Sequence, residues 1–433
     1  IIVRKCYGMP NAVERIVQNI SVGSQILFGS LNSILQFFLG NLDSYAGLGI
    51  IIKEYYEAIE QHKESPVSVQ KAKKLLEITE EIFKENKLDE DLRNPLKGLL
   101  AKKPEVLVTG GTGLIGRRLV KRLIKEGNKV RVFSHRKLSQ QEIDELYQGD
   151  VEVFRGDIYK FEDVREACKG IKAVYHLAAA MKGDWNYHMD TTITGTRNVL
   201  SATDEAKVKQ LIYVSTLNVY DARNYPNNKN INESFQYEDQ PHNRGNYSNA
   251  KLQAEKIVRE FTPQTSMTIS IIRPGLVYGP GFKPFPGDVG LRLGKNFVVV
   301  FGMGLRKLPL VYVDNLVDVL ILMQKKIVES GEIFHLVDGE RVSQRHYIKN
   351  YKKIAKESFL TVYVPLWFVS LGFMTIEGLV KLLMGKKVSL NYKLQCVAKS
   401  PIFNSENIQK KLAWQQNIDF STGLTRTIHG DAG

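Results

Sequence analysis

Cysteine is scarce in this chain of 433 residues, and the patterns that cysteine usually forms are missing. Cys6, Cys168 and Cys396 lie far apart, so the sequence has no C-x-x-C pair or other metal-ligand spacing. We therefore expect no metal centre and no disulfide framework. Such cysteine usage is typical of the reducing cytoplasm, where we expect the protein to reside.

Acidic residues are also few relative to basic ones. The 60 Lys and Arg residues exceed the 46 Asp and Glu residues, which gives a formal net charge of +14. The positive charge is dispersed along the chain without a signature of a nucleic-acid-binding fold, so we do not expect a nucleic-acid partner. Solvated lysines explain most of the excess, and an anionic ligand or an acidic membrane surface remains the alternative.

Long hydrophobic runs are absent with one exception. Residues 359–376, "FLTVYVPLWFVSLGFMTI", carry no charge and just reach the length of a membrane-spanning helix. Pro365 and Gly372 interrupt the run, which favours an apolar wall of the core or of a substrate pocket. A peripheral membrane contact through residues 359–384 and a spanning helix are the alternatives.

The chain divides into three zones. Residues 1–83 are predicted to be mainly helical, because apolar residues of "SPVSVQKAKKLLEITEEIF" recur at steps of three and four. Residues 84–104 are rich in charge and end in proline, as expected of a linker. In residues 105–433 buried strands alternate with helices, which predicts an α/β fold with a doubly wound parallel sheet. A smaller substrate lobe is expected mainly after residue 280.

A dense glycine loop, "VLVTGGTGLIG", occupies residues 106–116. Gly110, Gly113 and Gly116 follow a predicted strand and open a helix, which is the context of a dinucleotide-binding loop. The free amides and the positive dipole end of that helix suit a pyrophosphate, and residues without side chains let the backbone approach it. A tight strand-to-helix turn without a ligand is the alternative.

The end of the second strand, "KVRVFS", indicates the type of cofactor. Ser134 is followed by His135, Arg136 and Lys137, so no carboxylate is available there for the ribose hydroxyl of NAD. A guanidinium at this position would pair with a 2′-phosphate. The sequence therefore predicts NADP in preference to NAD.

A tyrosine and a lysine stand four residues apart in "YSNAK", which places Tyr247 and Lys251 on one face of a helix. A free phenol has a pKa of about 10, and a neighbouring ammonium would lower it. The pair therefore predicts a general acid/base. Ser215 and Thr216, at the end of the strand in "YVSTLNVY", would add hydroxyls at the carboxyl edge of the sheet.

Taken in order, "TGGTGLIG", "YVSTLNVY", "YSNAKLQAE", "IIRPGLVYGPG" and "PLVYVDNLVDVL" resemble the extended short-chain dehydrogenases/reductases of the NAD-dependent epimerase/dehydratase superfamily. The C-terminal "VPLWFVSLGFMTIEGLVKLLMGKKVSLN" more loosely resembles the 3β-hydroxysteroid dehydrogenase-like branch. The resemblance implies a Rossmann-type domain in which Thr216, Tyr247 and Lys251 are catalytic. The expected cofactor-binding residues are Gly110, Thr112, Gly113, Leu114, Ile115, Gly116, Ser134, Arg136, Asp157, Ile158, Leu177, Ala178, Ala179, Tyr247, Lys251 and Pro274.

The activity that the resemblance implies is an NAD(P)-dependent oxidoreductase that interconverts a secondary alcohol and a ketone. Its expected substrate is a small molecule, an apolar alcohol or ketone. A sugar-nucleotide epimerase or dehydratase and a cofactor-binding module without chemistry are the alternatives. A homodimer and an association with the membrane remain open.

A second resemblance concerns the N-terminal zone. The stretch from "NLDSYAGLGIIIKEYY" to "KLLEITEEIF" resembles the C-terminal end of a Gfo/Idh/MocA-type oxidoreductase. It implies that the natural protein is a fusion whose upstream dinucleotide domain is missing here, and a first residue other than Met agrees with a fragment or a processed product. An unrelated helical extension that packs on the reductase is the alternative.

Overall fold

The computed structural model describes residues 103–326, 328–385 and 388–430. The predictions for the helical zone 1–83, and for the linker as far as Lys102, lie outside the described residues. Pro104 is buried, and Glu105 leads directly into the first strand. The described residues thus comprise the predicted reductase domain and the end of the linker.

A parallel sheet of seven strands forms the centre of this domain, in the order β11-β6-β5-β4-β1-β2-β3. The chain builds outward from β1 in one direction and then from β4 in the other. The order therefore reverses between β1 and β4, where ligands of such sheets bind. The strands are β1 (Val106–Thr109), β2 (Val130–Ser134), β3 (Val151–Arg155), β4 (Ala173–His176), β5 (Gln210–Val214), β6 (Thr268–Pro274) and β11 (Ile333–Leu336).

Both faces of the sheet are buried, which explains the apolar runs in its strands. Val106 and Val108 of β1 join the core cluster on one face, and Leu107 joins the cluster on the other. Successive side chains of a strand point to opposite faces, so one short apolar run supplies both cores. The predicted doubly wound α/β fold is confirmed.

Helices cover both faces. In α1 (Leu114–Lys125), Leu119, Val120 and Leu123 form an apolar stripe that is fully buried, and Gly127 with a positive φ follows the end of the helix. The other helices around the sheet are α2 (Gln140–Tyr147), α3 (Phe161–Ala167), α4 (Trp185–His188), α5 (Gly195–Glu205), α6 (Pro241–Arg244), α7 (Asn246–Phe261) and α8 (Val313–Lys325).

The apolar stretch "TISIIRPGLVYG", residues 268–279, contains two strands in different sheets. β6 ends at Pro274, and β7 (Leu276–Tyr278) pairs with β10 (Leu310–Tyr312). Gly275 makes the break, because a Cβ there would lie 2.0 Å from the Pro309 carbonyl oxygen. The sheet gains its edge strand β11 much later in the chain.

The C-terminal lobe packs beside these strands. A three-stranded sheet in the order β12-β9-β8 contains an antiparallel pair and a parallel pair. The elements of the lobe are β8 (Leu291–Leu293), β9 (Phe297–Phe301), β12 (Leu360–Val364), α9 (Gln344–Ala355), α10 (Leu366–Met384), α11 (Leu390–Ala398), α12 (Glu406–Leu412) and α13 (Phe420–His429).

The uncharged run 359–376 forms β12 and the first half of α10, with Pro365 between them. None of the helices within the described residues has the length and apolar character needed to cross a bilayer. Of the two positions predicted for this run, the structure favours the core, because Phe359 and Val369 are buried and residues 359–384 are not among those that line the cavity described below. Trp367 and Phe368 of α10 are instead largely exposed.

Candidate active site

One cavity of about 1040 Å³ lies at the carboxyl edge of the seven-stranded sheet. Its glycine-loop half is formed by segments that follow strands β1 to β4, within residues 110–116, 133–135, 157–159 and 177–181. Its lobe half is formed by residues 217–225, Arg244 and parts of 282–309 and 396–403. The strand ends of α/β sheets place binding groups in this way. Thr216, Tyr247, Lys251 and Pro274 also line the cavity.

The glycine loop packs too tightly for side chains. A Cβ on Gly116 would lie 2.2 Å from the Gly110 carbonyl oxygen, and one on Gly110 would lie 2.9 Å from the Ala178 amide nitrogen. Gly110 also has a φ of +72°, a conformation that L side chains rarely adopt. The loop can therefore bring the first amides of α1 to the cavity without obstruction. This cradle fits a pyrophosphate group.

The basic cluster after β2 is arranged differently from the prediction. Ser134 and His135 line the cavity, whereas Arg136 does not. Arg136 is directed to α2, where its Nη1 lies 2.7 Å from Glu142 Oε1. Ser134 is buried, and its hydroxyl donates to the Arg136 carbonyl oxygen. The other predicted cofactor-binding residues all line the cavity.

A chain of hydroxyls and one imidazole lies behind the glycine-loop half. His176, at the end of β4, is buried between Thr109 Oγ1 at 2.7 Å and Thr196 Oγ1 at 2.9 Å. Burial, together with the nearby Lys251 charge, lowers the pKa of His176 to about 3. His176 is therefore a neutral bridge that holds the ends of β1 and β4 against α5, a role that no spacing in the sequence indicated.

Thr216 and Tyr247 meet at the boundary of the two halves. Thr216 is buried after β5, and its Oγ1 accepts a hydrogen bond from the Asn218 amide at 3.2 Å. Burial raises the pKa of Tyr247, and hydrogen bonding with Thr216 partly offsets that rise. Ser215 is occupied elsewhere, because its hydroxyl donates to Glu255. The structure thus distinguishes the hydroxyl of Thr216, which lies at the site, from that of Ser215, which is bound to Glu255. The sequence alone did not distinguish them.

Lys251 lies one turn beyond Tyr247 on α7 and is buried. Its Nζ donates to the Tyr213 hydroxyl at 2.9 Å and to the Val214 carbonyl oxygen at 2.7 Å. Burial lowers the pKa of Lys251 to about 7, although Glu255 opposes this change. The predicted lowering of the tyrosine pKa by this amine is therefore not seen in the structure, because both groups are desolvated.

A buried ion pair lies behind the segments that carry Thr216 and Tyr247. Glu255, on α7, pairs with Arg273 at the end of β6, and both side chains are fully buried. Burial alone would raise the pKa of Glu255, but Arg273 and the hydroxyls of Ser215 and Tyr237 hold it below its usual value. The pair thus links the residue before Thr216, the helix of Tyr247 and the residue before Pro274. The sequence motifs predicted no role for Glu255 or Arg273.

The lobe half of the cavity is basic. It is lined by Arg244, Arg306, Lys307 and Lys399 and by one carboxylate, Asp288. Arg306 donates to the Asp288 carbonyl oxygen at 2.8 Å, and burial lowers its pKa. Nη1 of Arg244 is buried without a hydrogen-bond partner among the described residues, and lies 3.9 Å from Glu238 Oε2. This set is suited to an anionic group.

Comparison with known proteins agrees with this geometry. The model of the "NAD dependent epimerase/dehydratase family" matches residues 106–336. The chain belongs to this family. It is thus an enzyme of the extended short-chain dehydrogenase/reductase type, as the ordered motifs predicted.

Three similar proteins illustrate the range of the family. An N-acetyl-alpha-D-glucosaminyl-diphospho-ditrans,octacis-undecaprenol 4-epimerase of Escherichia coli O157:H7 is 24% identical over 75% of this chain and 94% of its own. A 2-alkyl-3-oxoalkanoate reductase of Shewanella oneidensis is 30% identical, over 53% of this chain and 59% of its own. The structure of a Bacillus cereus UDP-glucuronic acid 4-epimerase in complex with NAD is 20% identical, with a TM-score of 0.59 over 75% of this chain and 98% of that one.

Proposed function

We propose that this enzyme transfers a hydride between a nicotinamide cofactor and the carbinol carbon of a substrate, and so interconverts a secondary alcohol and a ketone. The observation that carries the proposal is the meeting of Thr216, Tyr247 and Lys251 in the cavity that the glycine loop opens. The same chemistry serves reductases and epimerases, so the net reaction is a separate question.

Tyr247 moves the proton in this proposal. When the alcohol is oxidised, its C–H bond gives up the hydride while Tyr247 takes the hydroxyl proton, and both steps reverse in reduction. Thr216 hydrogen-bonds with Tyr247. In this proposal its hydroxyl also hydrogen-bonds with the oxygen of the substrate alcohol or ketone. Lys251, one turn beyond Tyr247 on α7, is held in place by Tyr213 and Val214 and would bind the ribose of the nicotinamide.

The cofactor is proposed to occupy the glycine-loop half. When bound, its nicotinamide ring supplies the hydride acceptor or donor. The first amides of α1 would hold the pyrophosphate, and Asp157 would face the adenine side from the end of β3. We retain NADP as the proposed preference because no carboxylate follows β2 directly. The distance of Arg136 from the cavity leaves NAD as the alternative.

A sugar-nucleotide epimerase is the second candidate, and the basic lobe half favours it. Arg244, Arg306 and Lys399 would balance a diphosphate, whereas an apolar ketone would add no charge to Glu238 and Asp288, which pair with Arg244 and Arg306. The names of the similar epimerases support the same candidate. In that case the hydride returns to the opposite face of the same carbon.

A substrate panel separates the two candidates. Purified protein is incubated with NAD, NADP or their reduced forms and with sterols, long-chain ketones or UDP-sugars. Net reduction or oxidation changes the absorbance of NAD(P)H, whereas epimerisation yields a new sugar without a net change in absorbance. The absence of turnover with each substrate and cofactor, in a protein that binds the cofactor, would favour the module without chemistry.

Tyr247→Phe tests the assigned role directly. Loss of the proton-transferring hydroxyl is expected to lower kcat by ~10²- to 10⁴-fold. Cofactor affinity, measured by calorimetry, should change little. Tyr147→Phe is the matched control, because the Tyr147 hydroxyl is buried without a hydrogen-bond partner among the described residues. Equal activities of the two variants would refute the role of Tyr247.

A further inference from the structure

An exposed face of the lobe sheet is entirely apolar. Three rows of paired residues cross it: Leu291, Val299 and Val362; Leu293, Phe297 and Leu360; and Phe301 with Val364. Alternate residues such as Val298 and Val300 point inward and are fully buried. The outward residues Leu291, Leu293, Phe297 and Leu360 are each about half exposed. Soluble proteins rarely leave such a surface uncovered.

Helix α10 extends this surface. The ring of Phe373 packs against that of Phe301 at 6.1 Å, which joins the helix to the sheet. Trp367 is 70% exposed and Phe368 59%, and their rings contact each other at the start of α10. We call the outward residues of the three strands together with the exposed side of α10 the apolar platform. Exposed Trp and Phe on one side of a surface helix are typical of attachment to a lipid interface.

The charges at the platform favour one occupant. Lys295, in the turn between β8 and β9, and Lys381, on α10, are exposed. The nearby carboxylates are already engaged, because Glu357 pairs with Arg292 and Glu377 accepts a hydrogen bond from the Asn391 amide. A second copy docked by twofold symmetry presents the same patch with the same lysines, so it adds no opposite charge of a different kind. An anionic lipid surface would instead neutralise them.

We propose that the apolar platform docks on an anionic membrane surface, with α10 lying in the interface rather than crossing it. The inference does not depend on the proposed reaction. It has a structural link to the cavity, because α11 packs on α10 through the hydrogen bond between Ser370 and Asn391. Val397 and Lys399, at the end of α11, line the lobe half. Docking would thus place the substrate end of the cavity near the lipid.

The test is flotation of the full 433-residue protein with phosphatidylcholine vesicles, with and without phosphatidylglycerol. We expect binding to the anionic vesicles that weakens as salt is raised. Trp367→Ser with Phe368→Ser, and separately Leu293→Thr with Leu360→Thr, should each lower the bound fraction by at least ~10-fold, since each pair removes a large apolar area. Lys295→Gln with Lys381→Gln should reduce binding to anionic vesicles only.

The controls keep the proposal falsifiable. Lys256→Gln, a lysine on the outer side of α7, should bind vesicles like the unaltered protein. Each variant must keep its melting temperature and cofactor affinity, so that a loss of binding is not a loss of fold. No binding of the unaltered protein to anionic vesicles would overturn the proposal. So would a dimer in solution that the platform variants dissociate while vesicle binding remains unchanged.

Discussion

The two halves of the cavity are built from different kinds of structure. Residues of the glycine-loop half follow the ends of parallel strands, whereas those of the lobe half stand on short turns, irregular segments and the end of α11. In the first half, small residues and buried polar contacts leave no room for a Cβ on Gly110 or Gly116. In the second half, basic side chains line the open volume. The contrast indicates that the first half is shaped for one ligand, whereas the second offers charge to a substrate.

The largest effect is expected on stability, at the buried ion pair of Glu255 and Arg273 behind the site. Glu255→Gln removes the charge that balances Arg273 and leaves a buried guanidinium without its carboxylate. We expect a loss of about 3–5 kcal/mol in the free energy of unfolding. Chemical denaturation measures it. Glu260→Gln, an exposed change on the same helix, should cost almost nothing.

A small loss in the free energy of unfolding of Glu255→Gln would mean that the glycine-loop half is less rigid than its contacts indicate. The variant also has a catalytic readout. Because Glu255 holds Ser215 and α7, kcat should fall more than KM rises if the pair positions Thr216 and Tyr247. If Glu255→Gln and Glu260→Gln change kcat and KM to the same extent, the positioning role is contradicted.

The next effect is expected at the glycine loop itself. Gly116→Ala forces a methyl group to within 2.2 Å of the Gly110 carbonyl oxygen unless the loop moves. Overpacking of about 1–3 kcal/mol corresponds to roughly 10- to 100-fold weaker cofactor binding. Calorimetric titration with NAD and NADP measures the change. Gly378→Ala is the control, since nothing lies within 4 Å of a Cβ there.

Those two sites show how far the sequence could be read. The glycines, Thr216, Tyr247 and Lys251 were predictable because each lies next to a strand end or a helix start, and the topology of parallel sheets brings such positions together. The Glu255–Arg273 pair was not, because its partners are 18 residues apart and only the packing of α7 against the sheet brings them into contact. Spacing alone does not report which charges are buried.

The effect of desolvation on the pKa values of the site could not be predicted from the sequence either. The four-residue spacing predicted that Lys251 and Tyr247 share a face, and it did so correctly. It could not predict that burial lowers the pKa of Lys251 to about 7 and raises that of Tyr247. For the lobe half no periodic pattern exists, so Arg244, Arg306 and Lys399 stood in the sequence as ordinary charges. The lack of a pattern also left the uncharged run 359–376 open between the core and the substrate pocket.

A moderate effect is expected in the lobe half. Arg244→Gln removes a guanidinium whose Nη1 has no hydrogen-bond partner among the described residues. If the substrate carries an anionic group, KM should rise by about 10-fold, since a charge-assisted hydrogen bond contributes about 1.5–3 kcal/mol. The melting temperature should hardly change. Steady-state kinetics with the substrate that the panel identifies measures KM, and Arg197→Gln, an exposed change on α5, is the control.

An unchanged KM in Arg244→Gln, with an apolar ketone as the active substrate, would favour the reductase over the epimerase. A fall in melting temperature would show instead that Arg244 is structural and stabilises Glu238. The first result would remove the evidence that the lobe half binds an anion, and the second would show that Arg244 serves the fold rather than the substrate.

The smallest effect is expected at Arg136, which lies at the outer edge of the glycine-loop half. Its guanidinium is half exposed and pairs with Glu142, so it must leave this partner to reach a 2′-phosphate. Arg136→Ala should therefore weaken NADP binding only about fivefold and leave NAD binding unchanged, as expected for an exposed ion pair. Glu142→Gln, which frees Arg136, should shift the ratio of the two affinities toward NADP. If neither variant changes that ratio, the choice of cofactor rests on Ser134 and His135, which line the cavity directly.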